Sequence, residues 1–296
     1  MTPWSDRTGR FAPLRAFFFA ALFLPALWLA LAAARNGLGS RPTAEAIHQA
    51  GLWAIRLLAL SLAMTPLRVA SRYAKLAGIR RMLGLSVLAY AALHLGLYIY
   101  SQHFDMAKVA SEIVKRIYLL IGFAGFLGLL TLGVTSSDAM VRRLGAPLWN
   151  KLHRIVYVIA VLAVVHFFMQ SKLDETEAFI MAGLFGLLLF ARVGKRVQGD
   201  LTLAGAVASA AGATVLTGLA EAGWYSFKTG APFDLVLGAN FDPSLGIRPA
   251  WCALGFGVVL VLARASRPLF QQRPGVAGTQ GIAKKVRDRL LAPLQG

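Results

Sequence analysis

Carboxylates are scarce in this chain. Its 296 residues include 13 Asp and Glu against 31 Lys and Arg, and only 15% of the residues are charged. No Asp or Glu falls in the middle of an apolar run. Pumps and cation transporters place carboxylates there, because an ion or proton crossing hydrocarbon needs an opposite charge. Their absence weighs against transport and favours electron transfer, in which a metal changes valence without a carboxylate relay. A single cysteine, Cys252, excludes a disulfide framework and any cysteine-built metal or iron–sulfur site. No Gly-x-Gly-x-x-Gly follows a strand-like stretch, so the dinucleotide-binding fingerprint is missing.

What the chain has in abundance is hydrophobic residues, 57% of the total. A soluble protein of this size would carry more charge. The fold class expected is all-α, a polytopic transmembrane helical bundle. Eight apolar spans can be drawn, at residues 17–34, 47–64, 82–100, 117–134, 148–170, 179–193, 201–220 and 251–263. Pro25 should kink the first, and Thr65-Pro66 should close the second. The first span follows Arg7, Arg10 and Arg15 and contains Ala32-Ala33-Ala34, which mimics a signal cleavage site. It is longer than a usual signal core, so it is expected to be retained. Gly122, Gly125 and Gly128 in the fourth span, and Gly205, Ser209 and Ala213 in the seventh, suit close helix packing.

Lys and Arg are distributed unevenly. With the N-terminus placed inside, inner flanks and tail hold 22 and outer loops hold 8; Arg56 lies within the second span. The bias recurs along the chain and predicts cytoplasmic N- and C-termini. It also explains the net charge of +18 as attraction to anionic lipid rather than to nucleic acid. Arg56 has no carboxylate three or four residues away on its own helix. A cofactor propionate, a quinone oxygen or snorkelling to the interface are its options.

Two of the five histidines, His153 and His166, share the fifth span. They lie ~20 Å apart along a helix axis, one near each side of a ~30 Å hydrocarbon core. His94 stands 13 residues beyond Arg81 in the third span, and His166 stands 12 beyond Arg154. The two imidazoles are thus at matched depth and suit axial ligation of haem, or else interhelical hydrogen bonding. His153 has no such partner, since Arg81 occupies the matching position on the third span. It also points ~220° away from His166 unless the helix is kinked. His48, at the outer start of the second span, is either a loop histidine or a neighbour of an outer cofactor.

An ordered set of motifs runs through six spans: Thr65-Pro66-Leu67-Arg68; Arg80-Arg81-Met82-Leu83-Gly84-Leu85 with Tyr90 and His94; Lys115-Arg116-x-Tyr118; Thr135-Ser136-Ser137; then Arg143-Leu144-Gly145, Trp149, Leu152-His153-Arg154-x-x-Tyr157 and His166. This set resembles the haem-binding membrane subunits of periplasmic methionine sulfoxide reductase systems, the MsrQ (YedZ) family of the ferric-reductase-like transmembrane superfamily. The resemblance runs from about Gly37 to Arg196 and implies a six-helix haem-binding core, drawn here at residues 1–199; an extension at 200–264 with two further expected spans and a basic cytoplasmic tail at 265–296 lie beyond it. It implies a b-type cytochrome with one or two haems, ligated by His94, His153 and His166; from their positions in the sequence, Arg81, Arg56 and His48 are further candidates for contact with the cofactors. Electrons would come from the quinone pool or a flavin, with FMN as a possible cofactor. They would pass to a periplasmic molybdopterin-containing methionine sulfoxide reductase that repairs oxidised proteins. The subunit itself would be non-catalytic. A ferric or cupric reductase, and a haem-free transporter or assembly factor, are the alternatives.

Overall fold

The computed structural model describes residues 4–5, 9–171 and 174–268. The basic tail beyond residue 268 lies outside the described residues, among which there are thirteen α-helices and no β-strand. In chain order the helices are α1 (Pro13–Ala21), α2 (Leu24–Ala34), α3 (Pro42–Ser71), α4 (Arg80–Ser101) and α5 (Met106–Lys115). Next come α6 (Ile117–Val134), α7 (Asp138–Leu144), α8 (Ala146–Leu152) and α9 (Val156–Gln170). The last four are α10 (Thr176–Gln198), α11 (Leu203–Thr229), α12 (Phe233–Phe241) and α13 (Pro249–Ala265).

Among the described residues, seven stretches are long and apolar enough to cross a membrane: α1–α2, α3, α4, α6, α8–α9, α10 and α11. The eighth expected span is α13, at 17 residues the shortest and at the lower limit for crossing. The chain is therefore an all-α, multi-pass membrane protein. Helices α3, α4, α6 and α9 pack around one another, and α10 seals α3 and α9 from one side. Helices α11 and α13 pack on each other and on α10, and α13 also packs on α3. Small residues permit the close approach: Gly257 of α13 abuts Ala210 of α11, and Gly183 of α10 abuts Thr217 of α11.

Three local features differ from the sequence reading. The first span is broken rather than kinked, at Leu22 and Phe23. Pro25 follows in the first turn of α2, where its missing amide hydrogen is tolerated. The buried Tyr90 of α4 bridges the break: its hydroxyl donates to the Leu22 carbonyl at 2.7 Å and accepts from the Ala26 amide at 3.1 Å.

The second difference is Pro66, which does not close its helix. Helix α3 runs through it to Ser71 and ends at Arg72, which has φ of 57°. A proline inside a helix leaves the carbonyl four residues earlier without its partner. Here that carbonyl is Leu62's, and the Arg192 guanidinium of α10 donates to it. Arg192 also bonds the Leu188 carbonyl at 2.7 Å and lies 5.5 Å over the Tyr157 ring. Replacing Arg192 with Leu should lower stability by about 1–3 kcal/mol, the cost of an orphaned buried carbonyl. Denaturation in detergent measures this. In a Pro66→Ala background the loss should shrink, because an alanine at this position restores the amide donor.

The third difference is Glu221. The apolar run of the seventh span stops at residue 220, but α11 continues to Thr229 and takes Glu221 inside it. Glu221 is 1% exposed and faces Arg248 at 3.8 Å.

At the basic end of the bundle, Arg267 ties three segments together. It bonds the Ala70 and Val69 carbonyls of the last turn of α3, each at 2.7 Å, and both oxygens of Asp200 at 2.6 and 2.8 Å. These carbonyls are among the four that every helix C-terminus leaves unpaired. Hydrogen bonds from Arg267 hold the Asp200 carboxyl well below the usual carboxylate range. A depressed folded pKa means the stabilisation is present above the unfolded value, ~3.9, and is lost as pH falls below it. Thermal unfolding should therefore show a drop in stability below about pH 4 that Asp200→Asn removes.

Candidate functional site

The four packed helices enclose a cavity of about 590 Å³, within the size range of ligand and cofactor sites. Its polar lining is concentrated where helices end: Arg41 before α3, Tyr98 late in α4, Tyr118 at the start of α6 and Gln170 at the end of α9. Deeper in, the lining is apolar, with Leu58, Val87, Leu129 and Ile159. The cavity is an amphipathic slot, polar at its mouth and dry at its floor.

His94 from α4 and His166 from α9 meet in this slot, with ring centres 6.2 Å apart and ring planes at 87°. Nδ1 of His94 lies 2.7 Å from the Ile47 carbonyl, and Nδ1 of His166 lies 2.8 Å from the Tyr118 carbonyl. A carbonyl only accepts, so each Nδ1 carries the proton, and in the neutral ring each Nε2 keeps a free lone pair. This is the arrangement of a metal-binding histidine, oriented by a second hydrogen bond. Metal–imidazole bonds of ~2.0–2.1 Å place two imidazoles that share one ion with ring centres roughly 6 Å apart. The observed pair meets that spacing. Two opposed imidazoles in a slot of this size and polarity fit a planar, amphipathic metal cofactor. Among the described residues there is no cluster of three or more His, Cys, Asp or Glu that would bind a bare metal ion.

The other expected site residues are spread more widely. His48 lines the same cavity, its ring 6.4 Å from that of Phe167. Arg56 points elsewhere, pairing with Glu177 of α10 at 3.2 Å and lying 5.3 Å from the Trp53 ring centre. Its carboxylate partner comes from a helix 121 residues away, which i±4 reasoning cannot find. Arg81 sits at the basic end, paired with Asp138 at 2.6 Å, and does not line the cavity.

His153 is also apart from the cavity. The fifth span is interrupted by a 3-10 turn at His153–Ile155, so the straight-helix azimuth does not apply. The imidazole stacks on Trp149 at 3.8 Å, and its Nδ1 lies 3.1 Å from the Trp149 carbonyl. Trp149 is itself fixed by a 2.9 Å bond to the Thr135 carbonyl. The Nε2 of His153 is buried and makes no hydrogen bond of good geometry, with the Leu132 carbonyl close to the ring. A buried nitrogen of this kind fits a metal ligand, and among the described residues no second histidine faces it.

Sequence reasoning missed Gly51, and it read Gly122 as a helix-packing residue. Both lie against the histidine rings. Gly128 does serve packing, against Ile159.

The comparisons agree with this architecture. A family model described as "Ferric reductase like transmembrane component" matches residues 50–164, which include His94 and His153 and stop two short of His166. The four helices and the paired imidazoles thus define a transmembrane component of the ferric-reductase-like class. A protein of Polaromonas naphthalenivorans, a "Protein-methionine-sulfoxide reductase heme-binding subunit MsrQ", is 40% identical over 182 residues, covering 60% of this chain and 83% of that one. The namesake from Rhodospirillum rubrum is 41% identical over 189 residues, 64% of this chain and 88% of its own. A third, from Xanthomonas campestris pv. campestris, is 41% identical over 178 residues, 60% of this chain and 81% of its own. The chain belongs to the MsrQ family. No solved structure matches it.

Proposed function

We propose that this protein is a b-type cytochrome, the electron-transfer subunit of a methionine sulfoxide reductase system. The observation that carries this reading is the His94–His166 pair, oriented by two backbone carbonyls inside an amphipathic cavity. His94 and His166 hold the haem iron. Ile47 and Tyr118 keep both rings in the Nδ1-protonated form. The apolar floor excludes water, and Arg41 at the mouth supplies positive charge for the cofactor's carboxylates, while His48 lines the same cavity. When bound, haem supplies a one-electron carrier whose potential is set by axial ligation and burial.

In this reading the protein lies in a bacterial inner membrane with both termini in the cytoplasm. The Lys/Arg bias supports that orientation, which turns the cavity mouth outward. Electrons enter from the quinone pool or a flavin at the basic end and leave at the mouth, toward a periplasmic molybdopterin-containing reductase. The buried Nε2 of His153 supports this residue as a ligand on the inner side, in a second haem whose other ligand is not histidine. The Arg-rich flanks of that end suit the phosphate of FMN. Residues 1–199 form the cofactor-holding core, and residues 200–264 brace it through α10 and α3.

The test is electron transfer in proteoliposomes. Reduced protein should be reoxidised by its molybdopterin partner only while methionine sulfoxide is present. Reoxidation by ferric or cupric ions alone, with no response to the partner, would instead support the metal-reductase reading that the superfamily's name suggests.

A further inference from the structure

Resting on the haem reading above, we propose that Gly51 and Gly122 are positioning residues. They form two matched helix notches that hold His94 and His166 as ligands with their ring planes at right angles.

The two notches are built alike on helices distant in sequence. On α3, the carbonyl that accepts from His94 belongs to Ile47, four residues before Gly51. On α6, the carbonyl that accepts from His166 belongs to Tyr118, four residues before Gly122. In an α-helix the carbonyl of residue i already receives the amide of residue i+4. A second donor must therefore approach that carbonyl over the surface of residue i+4. Any side chain there stands in its path. A β-carbon on Gly51 would lie 2.8 Å from Nδ1 and 3.0 Å from Cε1 of His94. On Gly122 it would lie 2.8 Å from both Nδ1 and Cε1 of His166. Contacts this short force a ring to move. By contrast, a β-carbon on Gly125, on the same helix, meets Leu162 at an ordinary 3.9 Å. Gly128 and Gly133 of the same helix are also closed to a β-carbon, but by the aliphatic side chains of Ile159 and Leu88; at Gly51 and Gly122 the group in the way is an imidazole.

The chemical consequence has two parts. An Nδ1–H bond to a carbonyl makes Nε2 more basic, which favours ferric over ferrous iron. It also stops rotation of each ring, and the two notches fix the planes at 87° to one another. If the glycines served only helix packing, neither ligand basicity nor ring orientation would depend on them.

Electron paramagnetic resonance of the ferric protein reads ring orientation directly. Perpendicular imidazoles give a strongly anisotropic low-spin signal dominated by one low-field feature. Near-parallel imidazoles give a three-line rhombic spectrum. The wild type is expected to show the first, and a rhombic spectrum for the haem that His94→Ala and His166→Ala both abolish would overturn the proposal. Gly51→Ala and Gly122→Ala should each shift that signal and raise the midpoint potential of the haem they retain, while Gly125→Ala changes neither. Wild-type signal and potential in both alanine variants at residues 51 and 122 would also overturn it. Should those variants fail to accumulate, the wild-type spectrum still decides. Absence of haem from the wild type would defeat the functional reading itself, whereas haem with parallel rings would defeat only this inference.

Discussion

Replacing either His94 or His166 with alanine is expected to abolish the six-coordinate low-spin haem spectrum of the purified protein. Each side chain contributes one of the two carbonyl-oriented imidazoles in the cavity. His48 lines the same cavity, but it stands beside Phe167 and is not oriented by a carbonyl as the pair is. The floor of the slot is apolar, so loss of one imidazole leaves iron with no protein donor on that side. The expected result is haem loss, or a five-coordinate high-spin spectrum in whatever fraction retains it. His153→Ala should leave this low-spin signal in place, because His153 lies outside the cavity. Absorption spectra of the three variants, normalised to protein, separate these outcomes. A fully loaded low-spin spectrum in His94→Ala would show that the pairing is wrong.

The largest stability effect is expected from Arg267→Ala. Arg267 is 6% exposed and makes four hydrogen bonds, two to the end of α3 and two to Asp200. Its removal orphans two helix-terminal carbonyls and leaves the α10–α11 connection held to α13 only through the Arg264 bond to the Leu201 carbonyl. Breaking a buried pair costs about 3–5 kcal/mol; Asp200 is 39% exposed and can turn to water, so about 2–3 kcal/mol is expected. Arg267→Lys should recover only part, because an ammonium cannot span carboxylate and carbonyls at once. Unfolding monitored in detergent measures both. An Arg267→Ala variant as stable as wild type would remove the clamp from this description.

Much of this architecture was legible in the sequence, for physical reasons that differ by feature. Apolar run length located the spans, because hydrocarbon thickness leaves little choice. Counting residues from the basic flanks brought His94 and His166 to one level, since helical rise is nearly constant. Features that depend on contacts between distant segments were not legible. Pro66 reads as a helix end until Arg192, 126 residues later, supplies the missing donor. Arg56 looks isolated until Glu177 arrives from another helix. Glu221 reads as loop because the apolar run stops before it, yet its helix continues and buries it against Arg248. Gly51 and Gly122 carry no local signal of their role. Only the packed helices show that an imidazole rests on each.

The most direct test of the central claim is a haem assay and reduced-minus-oxidised difference spectrum of the purified wild-type protein, expressed with an adequate haem supply. The expected result is at least one b-type haem per chain, low-spin in both oxidation states, with the low-spin signal of the haem between α4 and α9 lost on removing His94 or His166. A folded, monodisperse protein that carries no haem under those conditions would contradict the account.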